Sequence, residues 1–172
     1  MASSKIQRLR SHVSIAGEDT PIRRALPHAD RPMIGPWCFL DHAGPVQFGP
    51  ESGLHVGAHP HVGLQTFTWM IEGEVVHRDS LGNEQTIRPG QVNLMTAGRG
   101  VAHTEDSAQD GTRLHAAQLW IALPESERHR APGFENYPAL PQTKLGDFSA
   151  TVLTGSSLGL TAPTRVFSPM MG

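Results

Sequence analysis

Apolar residues in this chain come in short runs, and turn-forming residues interrupt them about every ten positions from His55 onward. Thr66-Phe67-Thr68-Trp69-Met70-Ile71 is rich in β-branched and aromatic side chains and stops at Glu72-Gly73. Val75 to Asp79 follows, Ser80-Leu81-Gly82-Asn83 has the composition of a hairpin turn, and Glu84 to Arg88 returns. Pro89-Gly90 turns into a strand over Gln91 to Thr96, and Ala97-Gly98-Arg99-Gly100 turns into Val101 to Ser107. Leu114 to Leu123 is the longest apolar strand, closed by Pro124. No segment carries a helical period, so the pattern predicts an all-β sandwich or barrel.

The flanks read more weakly. Residues 1–20 are a polar lead-in, Leu26 to Asp30 a loop, and Trp37 to Leu40 a short buried strand. Asp41-His42-Ala43-Gly44-Pro45 is expected to turn the chain, and a Gly- and Pro-rich loop runs to about His55. Residues 125–142 are loop-like, with one helical turn at most over Glu125 to Arg130. Thr151-Val152-Leu153 is the last clear strand.

Composition supports this picture. At 172 residues the chain is long enough for one well-cored domain and short for two. Its 18 glycines and 14 prolines, spread along the chain, suit many short strands joined by tight turns. A formal charge of -2 removes the electrostatic case for nucleic acid, and two arginines at Arg128-His129-Arg130 make no basic face. Cys38 is the single cysteine, so no intramolecular disulfide can form, and its apolar setting reads as a small buried thiol. The N-terminus lacks a signal-peptide pattern and no window reaches a membrane span, so the expectation is a soluble, cytoplasmic protein with no membrane partner.

His59-Pro60-His61 and His103-Thr104-Glu105 carry the chemistry. Each pair is separated by one residue, and side chains alternate faces along a strand, so both members of a pair point the same way. On neighbouring strands of one barrel, three imidazoles and a carboxylate can then converge on a divalent transition metal. Such a set suits Fe, Ni, Cu, Mn or Zn. A structural zinc is the competing reading, but those sites are closed, four-coordinate and rich in cysteine, which this set lacks.

These residues fit the spacing of the two cupin motifs. Gly53, five residues, His59-x-His61 and a later Gly73 match the first, and Gly100-x-x-His103 the end of the second. Thr66 stands where the first motif usually has glutamate, and Glu105 supplies a carboxylate instead. With LDHAGP at 40–45, HPHVGLQTFTWMIEGEVVHRDSLGN at 59–83, PGQVNLMTAGRGVAHTE at 89–105 and LHAAQLWIALP at 114–124, the chain resembles the pirin family of bicupins over residues 20–172. The resemblance implies an all-β cupin barrel (a double-stranded β-helix or jelly roll) with little helix. It implies that His59, His61, His103 and Glu105 bind the metal, most often Fe(II) in that family. It also implies a quercetin 2,3-dioxygenase type of activity, in which dioxygen opens a flavonol ring and carbon monoxide is lost.

On that reading, four ligands on an octahedral ion leave two positions for a flavonol or dioxygen, and Glu105 is a candidate base as well as a ligand. The reading from another class is a metal-bound, non-catalytic regulatory or redox-sensing protein that acts through a protein partner; a third is a silent half-cupin that keeps metal without a working pocket. An apolar cavity over the metal separates the first from the others. His77 and Asp79 share a strand face at a hairpin mouth, either behind a ligand imidazole or in solvent. Gln118 points either into the cavity or outward. His42 and His55 read as loop residues, and Met70, Met95, Trp69 and Trp120 as core filler. Gly57, Gly63, Gly98 and Gly100 read as turn-permitting positions around the site.

Pirin-like proteins carry a second cupin barrel, and this chain stops near where that barrel should begin. The expected organisation is a cupin domain over 1–150, followed by a last strand and the start of a truncated or absent second domain over 151–172. Loss of that neighbour is expected to expose an apolar face that self-association or a protein partner would cover.

Overall fold

A computed structural model describes residues 6–169. The expectations for Met1 to Lys5 and for the chain's last residues, through Gly172, lie outside the described residues. The first histidine pair lies on a strand, as expected, and six further predicted strands form within a residue or two of their expected bounds. The seven are β4 (His55–His61), β5 (Leu64–Glu72), β6 (Val75–Asp79), β7 (Glu84–Ile87), β8 (Val92–Thr96), β9 (Val101–Ser107) and β10 (Arg113–Ala122).

The flanks hold more strand than their composition suggests. The polar lead-in extends only to residue 11, because β1 (His12–Ala16) and β2 (Thr20–Leu26) form a hairpin. Ile22 and Leu26 are buried while Pro21 and Arg23 are exposed, an alternation that Pro21 and two consecutive arginines disguise. The turn expected at 41–45 lies inside a long strand, β3 (Trp37–Gln47). Between the pairs Leu114–Val46 and Ala116–Ala43 the register shifts, so Gly44 (φ +75°) and Pro45 are absorbed as a bulge rather than a turn. His42 and His55 are accordingly strand residues, not loop residues.

Within the stretch read as loop, β11 (Gly133–Tyr137) forms by pairing with β8. The chain over 124–130 makes a turn, with Pro124 O accepting from both Glu127 N and Arg128 N, and no helix occurs among the described residues. The strand expected at 151–153 instead ends at Thr151: β12 (Gln142–Leu145) pairs with β13 (Phe148–Thr151), and β14 (Ser156–Ser157) with β15 (Leu160–Thr161).

Two sheets make the barrel. One has seven strands in the order β1-β2-β3-β10-β5-β8-β11; the other has four in the order β4-β9-β6-β7. This is the all-β cupin barrel that the resemblance implies. Phe48, Leu54, Met70, Val75, Ile87, Leu114 and Ala116 from both sheets form the core between them. The seven-stranded sheet is buried on its other face too. There Phe67, Val92, Leu94 and Ile121 pack with Tyr137, Leu140, Leu153 and Val166 from the C-terminal stretch. Gln65 fastens that stretch to the sheet, accepting from Phe167 N and donating to Arg165 O.

Candidate metal centre

The site is built on the inner face of the four-stranded sheet. β4 pairs with β9 so that His59 lies opposite His103, and β6 pairs with β9 so that Asp79 lies opposite His103 and His77 opposite Glu105. The alternation of strand side chains therefore brings residues from three adjacent strands onto one surface. A bulge between Val56 and His59 resets the register of β4 just before the first histidine. Behind the start of β9, Gly98 adopts φ +51° with its α-carbon against the Arg130 carbonyl, where a Cβ would collide.

His59, His61 and His103 place ring nitrogens within 4.8 Å of one another, so the three can hold a metal ion. His61 Nε2 and His103 Nε2 are 3.1 Å apart. Two imidazoles bound at right angles to one ion, each through a bond of about 2.1 Å, would stand about 3.0 Å apart. The donors present thus fit a transition ion. His61 and His103 are buried, and burial pushes both imidazoles down, His61 to about 4 with help from His59 and His103 to about 3 with help from His59, His77 and His61. Both are therefore neutral near pH 7, the form that offers a lone pair to a metal.

Glu105 lies on the same strand as His103 and lines the cavity with His59 and His61. It falls outside the three-histidine group and joins a second group with His77 and His103. Its Oε1 is 3.3 Å from the Thr68 hydroxyl, which lies 2.7 Å from Gln118 Oε1, so the two oxygens compete for one hydroxyl proton. Burial raises the Glu105 pKa, against the opposing pull of His59 and the Thr68 hydrogen bond.

The other residues singled out in the sequence now have positions. His77 and Asp79 are not at a solvated hairpin end: their side chains are 3% and 0% exposed, and His77 Nε2 lies 3.2 Å from Asp79 Oδ2. Gln118 faces the cavity. Met70 and Met95 are core residues, as expected, but Trp120 meets the His61 ring edge-on at 4.9 Å and stacks on Phe39 at 3.9 Å. Cys38 is half-buried in β3, with its thiol 3.5 Å from Trp120 O.

A cavity of about 330 Å³ opens beside the histidines. His59, His61, Glu105, Thr68 and Gln118 form its polar side, and Leu54, Val56, Met70, Val75 and Leu114 line much of the rest. Arg24 and Asp41 also line it as a two-pronged ion pair, with bonds of 2.8 and 2.7 Å, and Arg24 sits 4.5 Å over the Phe39 ring. Sequence reasoning missed this pair because β2 was read as part of the weakly patterned flank. The signal was there in part: Ile22 and Arg24 alternate with Pro21 and Arg23 as one face of a strand, before a register shift that turns Leu26 away.

No helix of the described residues is long and apolar enough to cross a membrane. The chain is 55% identical over 167 residues to a Pseudomonas aeruginosa protein provisionally named quercetin 2,3-dioxygenase, a match covering 97% of this chain and 53% of that one. A pirin-like protein of Caulobacter vibrioides is 40% identical over 158 residues, covering 87% and 54% respectively. The crystal structure of a quercetin 2,3-dioxygenase from Acinetobacter baumannii matches with a TM-score of 0.93 at 54% identity, covering 96% of this chain and 55% of that one. A bacterial pirin from Escherichia coli in complex with nickel(II) matches with a TM-score of 0.62 at 25% identity, covering 77% and 56%. The chain spans about half the length of the curated relatives it matches. The family model for pirin matches residues 19–121, on the strands that carry the three histidines, and the chain belongs to the pirin family.

Proposed function

We propose that this protein is a metal-dependent dioxygenase of the quercetin 2,3-dioxygenase type, acting on a flavonol-like substrate with dioxygen. The observation that carries this reading is the convergence of three imidazoles, two of which, His59 and His61, line a largely apolar cavity. A cavity of this size lies at the lower end of the range of roughly 300–1,000 Å³ for small-molecule sites. A closed structural metal or a purely regulatory one has no need of such a space. The relatives named for quercetin 2,3-dioxygenase support the same reading.

His59, His61 and His103 would hold the ion, and Glu105 is the proposed fourth ligand, reached by letting go of Thr68. Fe(II) is the metal proposed first, with Ni, Cu, Mn and Zn as alternatives; the nickel-bound relative supports a divalent ion. When bound, the ion would supply Lewis acidity, lowering the pKa of a hydroxyl brought to it. The remaining work falls to the chain's own groups. Glu105, with its pKa raised by burial, is placed to accept the proton of a substrate hydroxyl and keep it. The Gln118 amide, whose oxygen is occupied by Thr68, presents its NH2 group to the cavity as a donor to a substrate oxygen. Leu54, Val56, Met70 and Leu114 exclude water from around a flat ring.

The test is aerobic loss of flavonol absorbance with the metal-loaded chain, beside a His61→Ala control and elemental analysis of unsupplemented protein. Turnover that needs His61 supports the proposal. No turnover across several flavonols and across Fe, Ni, Cu and Mn overturns it in favour of a non-catalytic metal protein.

A further inference from the structure

His103 is held from behind by a chain of buried groups that do not themselves face the cavity. Its Nδ1 lies 3.2 Å from His77 Nδ1, and His77 Nε2 lies 3.2 Å from Asp79 Oδ2. Asp79 in turn accepts from the backbone amides of Leu81 and Asn83 at 2.9 and 3.0 Å and from the Asn83 side chain at 2.9 and 3.1 Å. Phe134 stacks on the His77 ring at 4.4 Å with an interplanar angle of 18°.

Resting on the metal-centre reading above, we propose that Asp79 and His77 are positioning residues that fix the tautomer of His103, and that His61 alone must relocate its proton when an ion enters. A carboxylate surrounded by donors can only accept, so His77 carries its proton on Nε2. Neutral His77 then presents a bare Nδ1, and the contact between the two Nδ1 atoms holds one proton, which must belong to His103. The Nε2 of His103 is left bare, and it faces Nε2 of His61. A doubly protonated His77 would donate in both directions and drive the His103 proton onto Nε2, closing its face to a metal.

The same logic applies to His59. Its Nδ1 is 2.9 Å from the Gly57 carbonyl, an obligate acceptor, so the proton sits on Nδ1 and Nε2 is free. His61 has no such partner among the described hydrogen bonds, and without an ion its Nε2–H donates to His103 Nε2 at 3.1 Å. Ion binding would move that proton to Nδ1 of the same ring.

The experiment has two readouts on the full chain. Nitrogen-15 NMR of the metal-free protein at neutral pH should show His59 and His103 protonated on Nδ1 and His61 on Nε2. A His103 proton on Nε2 overturns the proposal. Nickel(II) affinity, measured by chelator competition, should fall about 10–100-fold in His77→Phe, which keeps the stack on Phe134 but offers no acceptor. His77→Asn, whose amide oxygen can stand near the old Nδ1, should recover most of that loss. Equal affinity in wild type, His77→Phe and Asp79→Ala sinks the relay while leaving the metal site intact. If wild type itself holds no nickel(II), or His59→Ala holds it as tightly, the metal-centre reading fails instead. Should the variants not fold, the wild-type tautomers still decide.

Discussion

β5 serves two regions of opposite character with alternate residues. Phe67 and Trp69 face the C-terminal stretch in a dry cluster with Leu94, Ile121, Leu153 and Val166. Thr68 and Met70 face the cavity, where Glu105 and Gln118 are the nearest polar company. The outer face is filled and holds the sheet in place. The inner face leaves space and concentrates groups whose burial is costly, since each buried imidazole or carboxylate gives up solvation. A strand buried on both sides can divide its labour this way, one face contributing stability and the other keeping room for chemistry.

That division can be broken first on its outer side. Phe67→Ala removes a fully buried ring from the dry cluster and should cost about 3–5 kcal/mol in urea unfolding. The folded fraction should still bind nickel(II) as wild type does. If metal affinity falls with stability, the two faces are not independent.

The inner side responds in the other sense. His61→Ala should weaken nickel(II) binding by at least about 100-fold, or roughly 2.7 kcal/mol, and abolish flavonol loss. The metal-free variant should unfold at a urea concentration no lower than wild type near pH 5. A large drop there would mean that His61 is a packing residue first.

A pH series sharpens the contrast. The folded pKa values of His61 and His103, about 4 and about 3, lie below their ordinary 6.5, so between these limits the unfolded chain binds more protons. Stability of the metal-free protein is thus complete above pH 6.5 and lost as pH falls toward 4 and then 3. The loss should be about 2 kcal/mol per imidazole between pH 6.5 and 5, read as a shift of the urea midpoint. Bound nickel(II) should reduce the slope, because it competes with the proton for the same nitrogens; an unchanged slope would place the metal elsewhere. Far from both faces, Arg128→Ala breaks only an exposed pair with Glu125 and should change stability by less than about 0.5 kcal/mol. A larger effect would show that the turn after Pro124 supports the sheet.

Much of the barrel was legible because a strand with one buried face has a period of two. Val75–Asp79 and Val101–Ser107 form with their predicted bounds, and those strands place His77, Asp79, His103 and Glu105 on one surface. Legibility failed where turn-formers sit inside strands. Gly44-Pro45 reads as a turn, but pairing of β3 with β10 on one side and β2 on the other turns it into a bulge. β11 was hidden for a similar reason: Gly133–Tyr137 has little intrinsic strand character and forms because the β8 edge offers it partners.

The sequence by itself determined the three imidazoles, because alternation and a one-residue spacing leave them no choice of face once the strands form. It also determined that polar Thr68 and Gln118 lie in strands, since each sits in an apolar run. Which strands become neighbours is a long-range matter, and only the tertiary structure decided it. That pairing set His77 and Asp79 behind His103, brought Arg24 and Asp41 to the cavity wall, and put the Glu105 carboxylate within reach of both Thr68 and His103. Local pattern fixes the direction of a side chain, but its distance to a partner depends on register, bulges and the competing hydrogen bonds of residues far away in the chain.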